Sequence, residues 1–291
     1  MKGVSVVGFP LYTLAGYAGM GRAPDALRRS GLVPALGRSV CDYGDVQIPL
    51  LENDIVEDNI KNLSHFRAAS ARISREASRL EPMAKTICLG GECSFTIGAL
   101  AGFKSVFKGK PGMLWIDSHG DFNTPETSPS GYIGGMCLAM ACGKGPTLGD
   151  PIEKERPLLE EEALVHLGSR ALDPAERETM RGSAMGLVTM KKVSLDGILE
   201  VSSKSARRLA DSSDWIVCHL DVDVLDRKIM PAVNYPTSGG MTVEQAVVAI
   251  RALDATGKLK VLEVSAYNPE LDRHESSAGT VVRLIQEALS H

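Results

Sequence analysis

Residues 112–122 read GMLWIDSHGDF, an apolar run that ends in a cluster of acidic and imidazole side chains. Further along the chain, residues 215–223 read WIVCHLDVD and repeat this arrangement. Short apolar runs are typical of strands buried in a parallel sheet, and ligands of such sheets bind beyond the carboxyl ends of the strands. The two stretches therefore predict one sheet edge that carries both acidic clusters.

The rest of the chain alternates short apolar runs with segments of helical periodicity, which is typical of crossover units around a parallel sheet. The predicted strands cover residues 3–9, 84–89, 112–116, 164–168, 215–220 and 260–264. Three predicted helices begin at Ala23, Ser94 and Asp173, and Ser94 is expected to cap its helix. Three further predicted helices cover residues 55–81, 241–253 and 272–289. No linker divides the chain, so we predict an α/β fold with one domain over residues 1–291.

Composition excludes several classes of protein. The net charge of −4 gives no sign of a nucleic-acid partner. No apolar run approaches the roughly 20 residues of a membrane span, and the apolar N-terminal run resembles a first strand more than a signal peptide. The six cysteines follow no pairing pattern, which favours free thiols in a reducing cytoplasm.

The acidic clusters have the spacing of metal ligands. Asp117, His119 and Asp121 stand two residues apart, and side chains at this spacing share one side of an extended segment. Asp221 and Asp223 repeat the spacing after the second run. Oxygen and imidazole ligands suit divalent ions such as manganese, and crowded aspartates repel one another unless cations neutralise them. One cluster alone could be a polar loop with a capping aspartate, but two at neighbouring strand ends favour a metal pair.

Other candidates have two interpretations. Cys93 follows two glycines and could be a thiolate ligand, although the residue alone is better explained as a small buried side chain. Glu263 could pair with a cationic substrate or be solvated. His219 could support a ligand, but a packed histidine is favoured. The remaining histidines, interpreted as structural or surface residues, are His65, His166, His274 and His291.

Seven segments, taken together and in order, resemble the ureohydrolase superfamily, which includes arginase, agmatinase and formimidoylglutamase. The segments are residues 24–28 (PDALR), 42–46 (DYGDV), 90–94 (GGECS), 117–121 (DSHGD), 220–226 (LDVDVLD), 239–242 (GGMT), and Glu263 with residues 268–269 (NP) after a small insertion. The resemblance covers nearly the whole chain, and the two aspartate motifs are its most specific part.

The resemblance implies a three-layer α/β/α fold, a homo-oligomer and a centre of two Mn²⁺ ions. One ion would bind Asp117, Asp121, Asp221 and Cys93, and the other would bind Asp117, His119, Asp221 and Asp223. A bridging hydroxide would attack a guanidinium or similar carbon, and Asp121 would pass a proton to the leaving amine. Glu263 would pair with the planar cation.

The resemblance also suggests an amino-acid tail on a small guanidino substrate. Asn123 and Ser130 match positions that contact the carboxylate in arginase-like members. Asp173 matches a position that contacts the α-amino group.

Four positions depart from the family pattern. Cys93 replaces a histidine ligand, which could favour another divalent metal. Gly134 stands where arginases have a histidine proposed as a proton relay, Tyr132 replaces an asparagine, and Glu92 replaces an aspartate. Enzymes that hydrolyse Nω-hydroxyarginine resemble arginase with a cysteine at this ligand position. We therefore expect Nω-hydroxy-L-arginine, giving ornithine and hydroxyurea, or arginine itself as the substrate.

Two alternative functions compete with this interpretation. A catalytically silent relative that binds metal or an amino acid as a regulator would explain the lost histidines, but it has no need for clustered like charges. A deacetylase-like zinc amidohydrolase fits less well, because adjacent histidines would be expected for proton transfer.

Overall fold

The computed structural model describes residues 3–37, 39–51, 53–81, 85–274 and 276–290. Its strands are β1 (Val4–Phe9), β2 (Val40–Asp45), β3 (Val56–Glu57), β4 (Ile60–Lys61), β5 (Lys85–Gly90), β6 (Pro111–Ile116), β7 (Leu164–Leu167), β8 (Gly186–Val188), β9 (Trp215–Asp221) and β10 (Leu259–Ser265). Eight of these strands form one parallel sheet in the order β2-β1-β5-β10-β9-β6-β7-β8. Strands β3 and β4 form a separate antiparallel hairpin.

Helices cover both faces of this sheet. They are α1 (Ala23–Arg29), α2 (Leu32–Ala35), α3 (Leu63–Ala77), α4 (Phe95–Val106), α5 (Cys137–Ala141), α6 (Pro174–Gly182), α7 (Met190–Asp196), α8 (Ile198–Ser212), α9 (Val243–Asp254) and α10 (Ser276–Leu289). Parallel strands need crossover connections, and helices are their usual form.

Alternation along the strands separates the two apolar cores. Ile87 and Leu89 of β5 pack in a cluster with residues of α1, α8, α9 and α10, whereas Cys88 between them packs in a second cluster with residues of α3, α4 and α5. Successive strand side chains point to opposite faces, so each strand contributes to both cores. The predicted three-layer α/β/α fold is therefore confirmed.

Residues 55–81 differ from the single long helix that was predicted. They form the β3–β4 hairpin first, and only Leu63–Ala77 is helical. Asp58, Asn59 and Asn62 have positive φ angles of 49°, 62° and 61°. Short polar side chains tolerate this left-handed region, and such residues turn the chain instead of continuing a helix.

Several elements were not predicted. Strand β2 lies at the sheet edge and is largely exposed, and β8 has three residues, so neither has a marked apolar run. Helices α7 and α8 were also missed. Ser94 precedes α4 but makes no side-chain capping bond; its hydroxyl donates to Glu92 instead. Ala84, predicted to begin a strand, and His291 lie outside the described residues.

The six cysteines are free thiols, as predicted, and four of them are buried. No helix within the described ranges has the length and apolar composition that crossing a membrane requires.

Candidate metal centre and substrate cavity

The predicted ligands meet at the carboxyl edge of the sheet. Strands β6 and β9 are neighbours, with Ile116 paired to Leu220, so Asp117 and Asp221 leave the sheet side by side. Cys93 follows β5, at the turn that leads into α4. Parallel topology therefore brings together residues that are far apart in the sequence.

Two groups of ligand atoms could each hold a metal ion. The first is Cys93, Asp117 and Asp221, and the second is Asp117, His119 and Asp223. Within each group, the ligand atoms lie within 4.8 Å of one another. Because Asp117 belongs to both groups, the arrangement suits two adjacent cations that share a carboxylate.

Hydrogen bonds from the surrounding chain hold these carboxylates in place. The Ser118 hydroxyl donates to Asp223 Oδ1 at 2.7 Å, and the Asp223 amide donates to Asp221 Oδ1 at 2.7 Å. Asp117 accepts the His119 amide at 2.7 Å and Trp115 Nε1 at 3.1 Å. Such bonds around a ligand set fix its orientation before an ion binds.

The cluster has an excess of negative charge in a buried place. Burial, followed by repulsion from Asp223, raises the pKa of Asp117, and burial together with Asp223 and Asp117 raises the pKa of Asp221 well above its usual range. Burial opposes a charge on His119, but Asp223 and Asp117 outweigh it and raise the His119 pKa to about 12. A ligating imidazole must be neutral, so a divalent ion would replace this proton and neutralise the carboxylates. The donor set therefore fits the expected divalent ions.

Asp121 lines the same cavity but belongs to neither group of ligand atoms. Its φ angle is +50°, a conformation that aspartate tolerates. Burial and the nearby Asp117 raise its pKa well above the usual value for a carboxyl. The structure thus places Asp121 beside the predicted ligands as a carboxyl group that can hold a proton, and its role as a direct ligand stays a prediction.

A cavity of about 260 Å³ opens beside the ligands. Asn123, Ser130 and Asp173, predicted to hold an amino-acid tail, all line this cavity. Asn123 Nδ2 donates to Asp173 Oδ2 at 3.0 Å, so these two side chains act as one polar group. The structure therefore brings the predicted tail residues and the predicted metal ligands to one small site.

Glu263 does not line the cavity. Its side chain is fully buried within β10, where Oε2 accepts from the Thr96 hydroxyl at 2.7 Å and lies 2.7 Å from His219 Nδ1. Ala266, three residues later, lines the cavity instead. The structure therefore differs from the predicted direct contact of Glu263 with a substrate. The Glu263 side chain is buried inside the sheet, two residues before β10 ends.

His219 is packed, as was favoured, and it also supports a ligand. Its ring stacks on Trp115 with centroids 3.7 Å apart, and its Nε2 lies 3.0 Å from the Ser265 hydroxyl. Ser265 in turn lies 3.2 Å from Cys93 Sγ, which contacts Asp221 at 2.8 Å. Of the other histidines, His166 is fully buried and its pKa falls to about 3 through burial, in keeping with a structural residue.

Two kinds of cavity residue were missed in the sequence. Glu176 accepts hydrogen bonds from the Phe122 amide at 2.9 Å and the Asp173 amide at 3.2 Å. The sequence feature that could have identified Glu176 is the capping box at the start of α6. Tyr235 and Asn234 come from a loop that has no metal-ligand spacing or helical periodicity. No local pattern could have identified them.

Comparison with known proteins gives a consistent result. The model of the Arginase family matches residues 2–290. An arginase from Bacillus subtilis strain 168 is 32% identical over 294 residues, covering 99% of this chain and 98% of that protein. The native structure of arginase from Bacillus caldovelox has a TM-score of 0.91 at 29% identity, with 100% and 99% of the chains covered. Formimidoylglutamase from Bacillus subtilis shares the fold, with a TM-score of 0.80 at 18% identity and 99% and 86% covered.

Proposed function

The chain belongs to the arginase family and is a hydrolase that acts on linear amidine C–N bonds, and from this premise we propose that its substrate is an arginine-like amino acid with a modified guanidino group. Nω-hydroxy-L-arginine, which would be cleaved to ornithine and hydroxyurea, is the preferred substrate, and arginine is the alternative. The observation that carries this proposal is the pair of ligand groups that share Asp117 beside a cavity with the Asn123–Asp173 pair.

We assign metal binding to six residues. Cys93, Asp117, His119, Asp221 and Asp223 form the two groups of ligand atoms, and Asp121 lines the cavity beside them. Two Mn²⁺ ions at these residues would make a hydroxide nucleophile available at neutral pH and stabilise negative charge as it develops. Because Cys93 supplies a soft thiolate where the family has an imidazole, another divalent metal at the first group is also part of the proposal.

Asp121 is the residue assigned to proton transfer. It lines the cavity next to the ligand groups, and its raised pKa makes the carboxyl able to take a proton and release it again. A catalytic acid or base is most effective when its pKa lies near the working pH. Asp121 would therefore accept the proton of the nucleophile and deliver it to the leaving amine.

The tail of the substrate is assigned to the opposite part of the cavity. Asp173 would pair with the α-amino group, while Asn123 and Ser130 would donate to the carboxylate. A charged pair combined with neutral donors distinguishes an amino-acid tail from a simple amine. This assignment favours arginine-like substrates over agmatine-like ones.

The thiol at position 93 supports the proposal that the substrate has a modified guanidino group. Burial and then Asp221 raise the pKa of Cys93 well above its usual value, so a metal must displace a tightly held proton to bind there. A hydroxylated guanidine is less basic than arginine and offers a neutral, more electrophilic carbon. Such a substrate would compensate for a weaker metal site.

Steady-state kinetics with added Mn²⁺ test the proposal. We expect kcat/KM for Nω-hydroxy-L-arginine to exceed that for arginine by at least about tenfold, a difference of about 1.4 kcal/mol in transition-state binding. An Asp117→Asn variant, purified in the same way, is the control for contaminating activity and should cleave neither compound. A clear preference for arginine would contradict the modified substrate while leaving the reaction class intact.

We further propose that residues 1–291 form a single domain and that the protein works in the cytoplasm as a homo-oligomer, without nucleic acid. The support is the family membership and the continuous eight-stranded sheet. Light scattering of the purified protein measures the oligomeric state, and a mass equal to one chain of 31.1 kDa would contradict the oligomer.

A further inference from the structure

Three tyrosines from distant parts of the chain meet at the cavity. We call Tyr17, Tyr132 and Tyr235 the tyrosine cluster. Tyr17 packs edge-on against both partners, with ring centroids 5.6 Å from Tyr132 and 5.8 Å from Tyr235. The hydroxyls of Tyr17 and Tyr235 are hydrogen-bonded to each other. Tyr132 and Tyr235 line the cavity, so Tyr17 supports them from behind.

Tyr132 is held in place by its surroundings. Its hydroxyl donates to Glu92 Oε2 at 2.9 Å. A Cβ at Gly134 would collide with the Tyr132 ring, so the ring fills the space that any side chain at position 134 would occupy. The missing side chain at Gly134 and the tyrosine at position 132 are therefore one structural feature.

The cluster borders the reacting end of the cavity. The Tyr235 ring centroid lies 5.8 Å from that of His119, one of the proposed ligands. Tyr132 reaches Glu92, the neighbour of Cys93. Aromatic surface thus stands on two sides of the place where the planar head group of a substrate must lie.

Carboxylates at this end are already engaged. Glu92 accepts from the Thr13 amide and from the Ser94 and Tyr132 hydroxyls. Asp221 and Asp223 belong to the ligand groups. Ala266, the first residue after β10, contributes a methyl group to the cavity, whereas Glu263 within the strand is buried. Further carboxyl groups line the described cavity: Glu176 accepts the Phe122 and Asp173 amides, and the proposed reaction uses Asp121 for proton transfer.

We propose that the tyrosine cluster recognises the planar head group of the substrate by its ring faces and edges, in place of a carboxylate. The inference rests on the proposed function, because it names the residues that contact the head group of that same substrate. Ring faces attract a delocalised cation only moderately and also pack against neutral planar groups. Recognition should therefore depend weakly on charge, which suits a weakly basic hydroxyguanidine.

Binding without turnover tests this inference. In an Asp121→Asn background, calorimetry at pH 7.5 with Mn²⁺ would give Kd for arginine, Nω-hydroxy-L-arginine and citrulline, whose ureido head group is planar and neutral. We expect citrulline to bind within about tenfold of arginine. Tyr235→Leu and Tyr132→Leu should each raise Kd for arginine and Nω-hydroxy-L-arginine by about 3- to 30-fold.

Two variants serve as controls. Tyr132→Phe keeps the ring and should bind within about threefold of its background, provided that its melting temperature shows a folded protein. Tyr43→Leu makes the same change at an exposed tyrosine on β2 and should leave every Kd unchanged. Tyr235 is 46% exposed, so Tyr235→Leu is expected to fold even where changes at Tyr132 do not.

The outcomes separate this inference from the proposed function. If the Asp121→Asn background binds the compounds and Tyr235→Leu and Tyr132→Leu leave Kd unchanged, the role of the tyrosine cluster is overturned. The proposed function then still stands. A Kd for citrulline more than about 100-fold higher than that for arginine would also overturn the role of the cluster, because it would show that the site recognises the charge of the head group. Failure of the wild-type protein to bind or cleave any of these compounds would overturn both proposals.

Discussion

Cys93 shows how one residue would change the chemistry of the proposed ligand set. Its thiol donates to Asp221 Oδ2 at 2.8 Å and lies 3.2 Å from the Ser265 hydroxyl. Burial and the surrounding aspartates hold its proton tightly. Thiolates also prefer softer metals than Mn²⁺. Loading of the first ligand group should therefore be weaker than loading of the second.

Cys93→His is predicted to bind Mn²⁺ about tenfold more tightly and to cleave arginine faster, because imidazole suits this ion better and must release no thiol proton. Calorimetry and arginine kinetics measure the two effects. Cys41→His, at an exposed cysteine on β2, is the matched control. Unchanged Mn²⁺ affinity and arginine turnover would refute a ligand position at residue 93.

Glu263→Gln is predicted to affect stability more than substrate binding. The carboxylate is buried between His219 and Thr96, so its neutral analogue should lower the free energy of unfolding by about 1–3 kcal/mol. KM should change by less than about threefold, since the side chain does not line the cavity. Urea unfolding measures the free energy of unfolding, and steady-state kinetics measure KM. A tenfold rise in KM at unchanged stability would restore the direct contact expected from the family resemblance.

At the scale of elements, the turn from β5 into α4 positions Cys93. Gly91 lies against the backbone of residue 11, and a Cβ there would collide with the Leu11 carbonyl oxygen. The Glu92 amide donates to this same carbonyl oxygen at 2.9 Å, and the Ala266 amide donates to the Gly91 carbonyl at 2.7 Å. The turn therefore joins three chain segments beneath the ligands.

Gly91→Ala is predicted to lower the free energy of unfolding by about 2–3 kcal/mol and to weaken Mn²⁺ binding, because backbone cannot move aside as a side chain can. Gly279→Ala is the matched control. Gly279 lies in α10 with open space around its Cβ position, so alanine there should stabilise the protein by about 1 kcal/mol. Denaturant titration measures both, and equal behaviour of the two variants would contradict the packing argument.

At the scale of the whole molecule, divalent ions should link binding to folding. The aspartates that the fold brings together repel one another, and an ion that binds only the folded chain removes this repulsion. At about 100 times its Kd, Mn²⁺ should stabilise the protein by about 3 kcal/mol. Thermal melts with and without chelator measure this effect. An Asp117→Asn variant should lose most of it, and a full response in that variant would argue against a shared ligand.

The pH dependence of stability has a predicted sign. Burial raises the pKa of Glu176 from 4.5 to about 7. Its folded form therefore holds a proton more tightly, and the resulting stability of about 3 kcal/mol is complete below about pH 4.5 and is lost as the pH rises through 7. The metal-free wild-type protein should thus lose stability between pH 5 and 7.5 more steeply than Glu176→Gln. Parallel profiles from urea unfolding would contradict the assignment.

Prediction from the sequence succeeded where a local pattern has one physical meaning. The apolar runs before Asp117 and Asp221 form central strands β6 and β9, and their polar ends lie at one edge of the sheet. Prediction failed where the pattern is weak or has two meanings. Residues 55–81 are compatible with a helix by composition, but Asn and Asp residues in left-handed conformations make a hairpin first. The exposed edge strand β2 has no apolar run to detect.

The sequence alone determined the parallel α/β architecture and the edge of the sheet where the proposed metal ligands lie, because strand periodicity is local and parallel strands present their carboxyl ends at one edge. Only the tertiary structure decided that Glu263 is buried below the cavity and that Ala266 lines it. It also decided that Tyr17, Tyr132 and Tyr235 converge. These outcomes depend on how far each strand extends and on where three separate segments of the chain meet, and no periodicity within one segment specifies either.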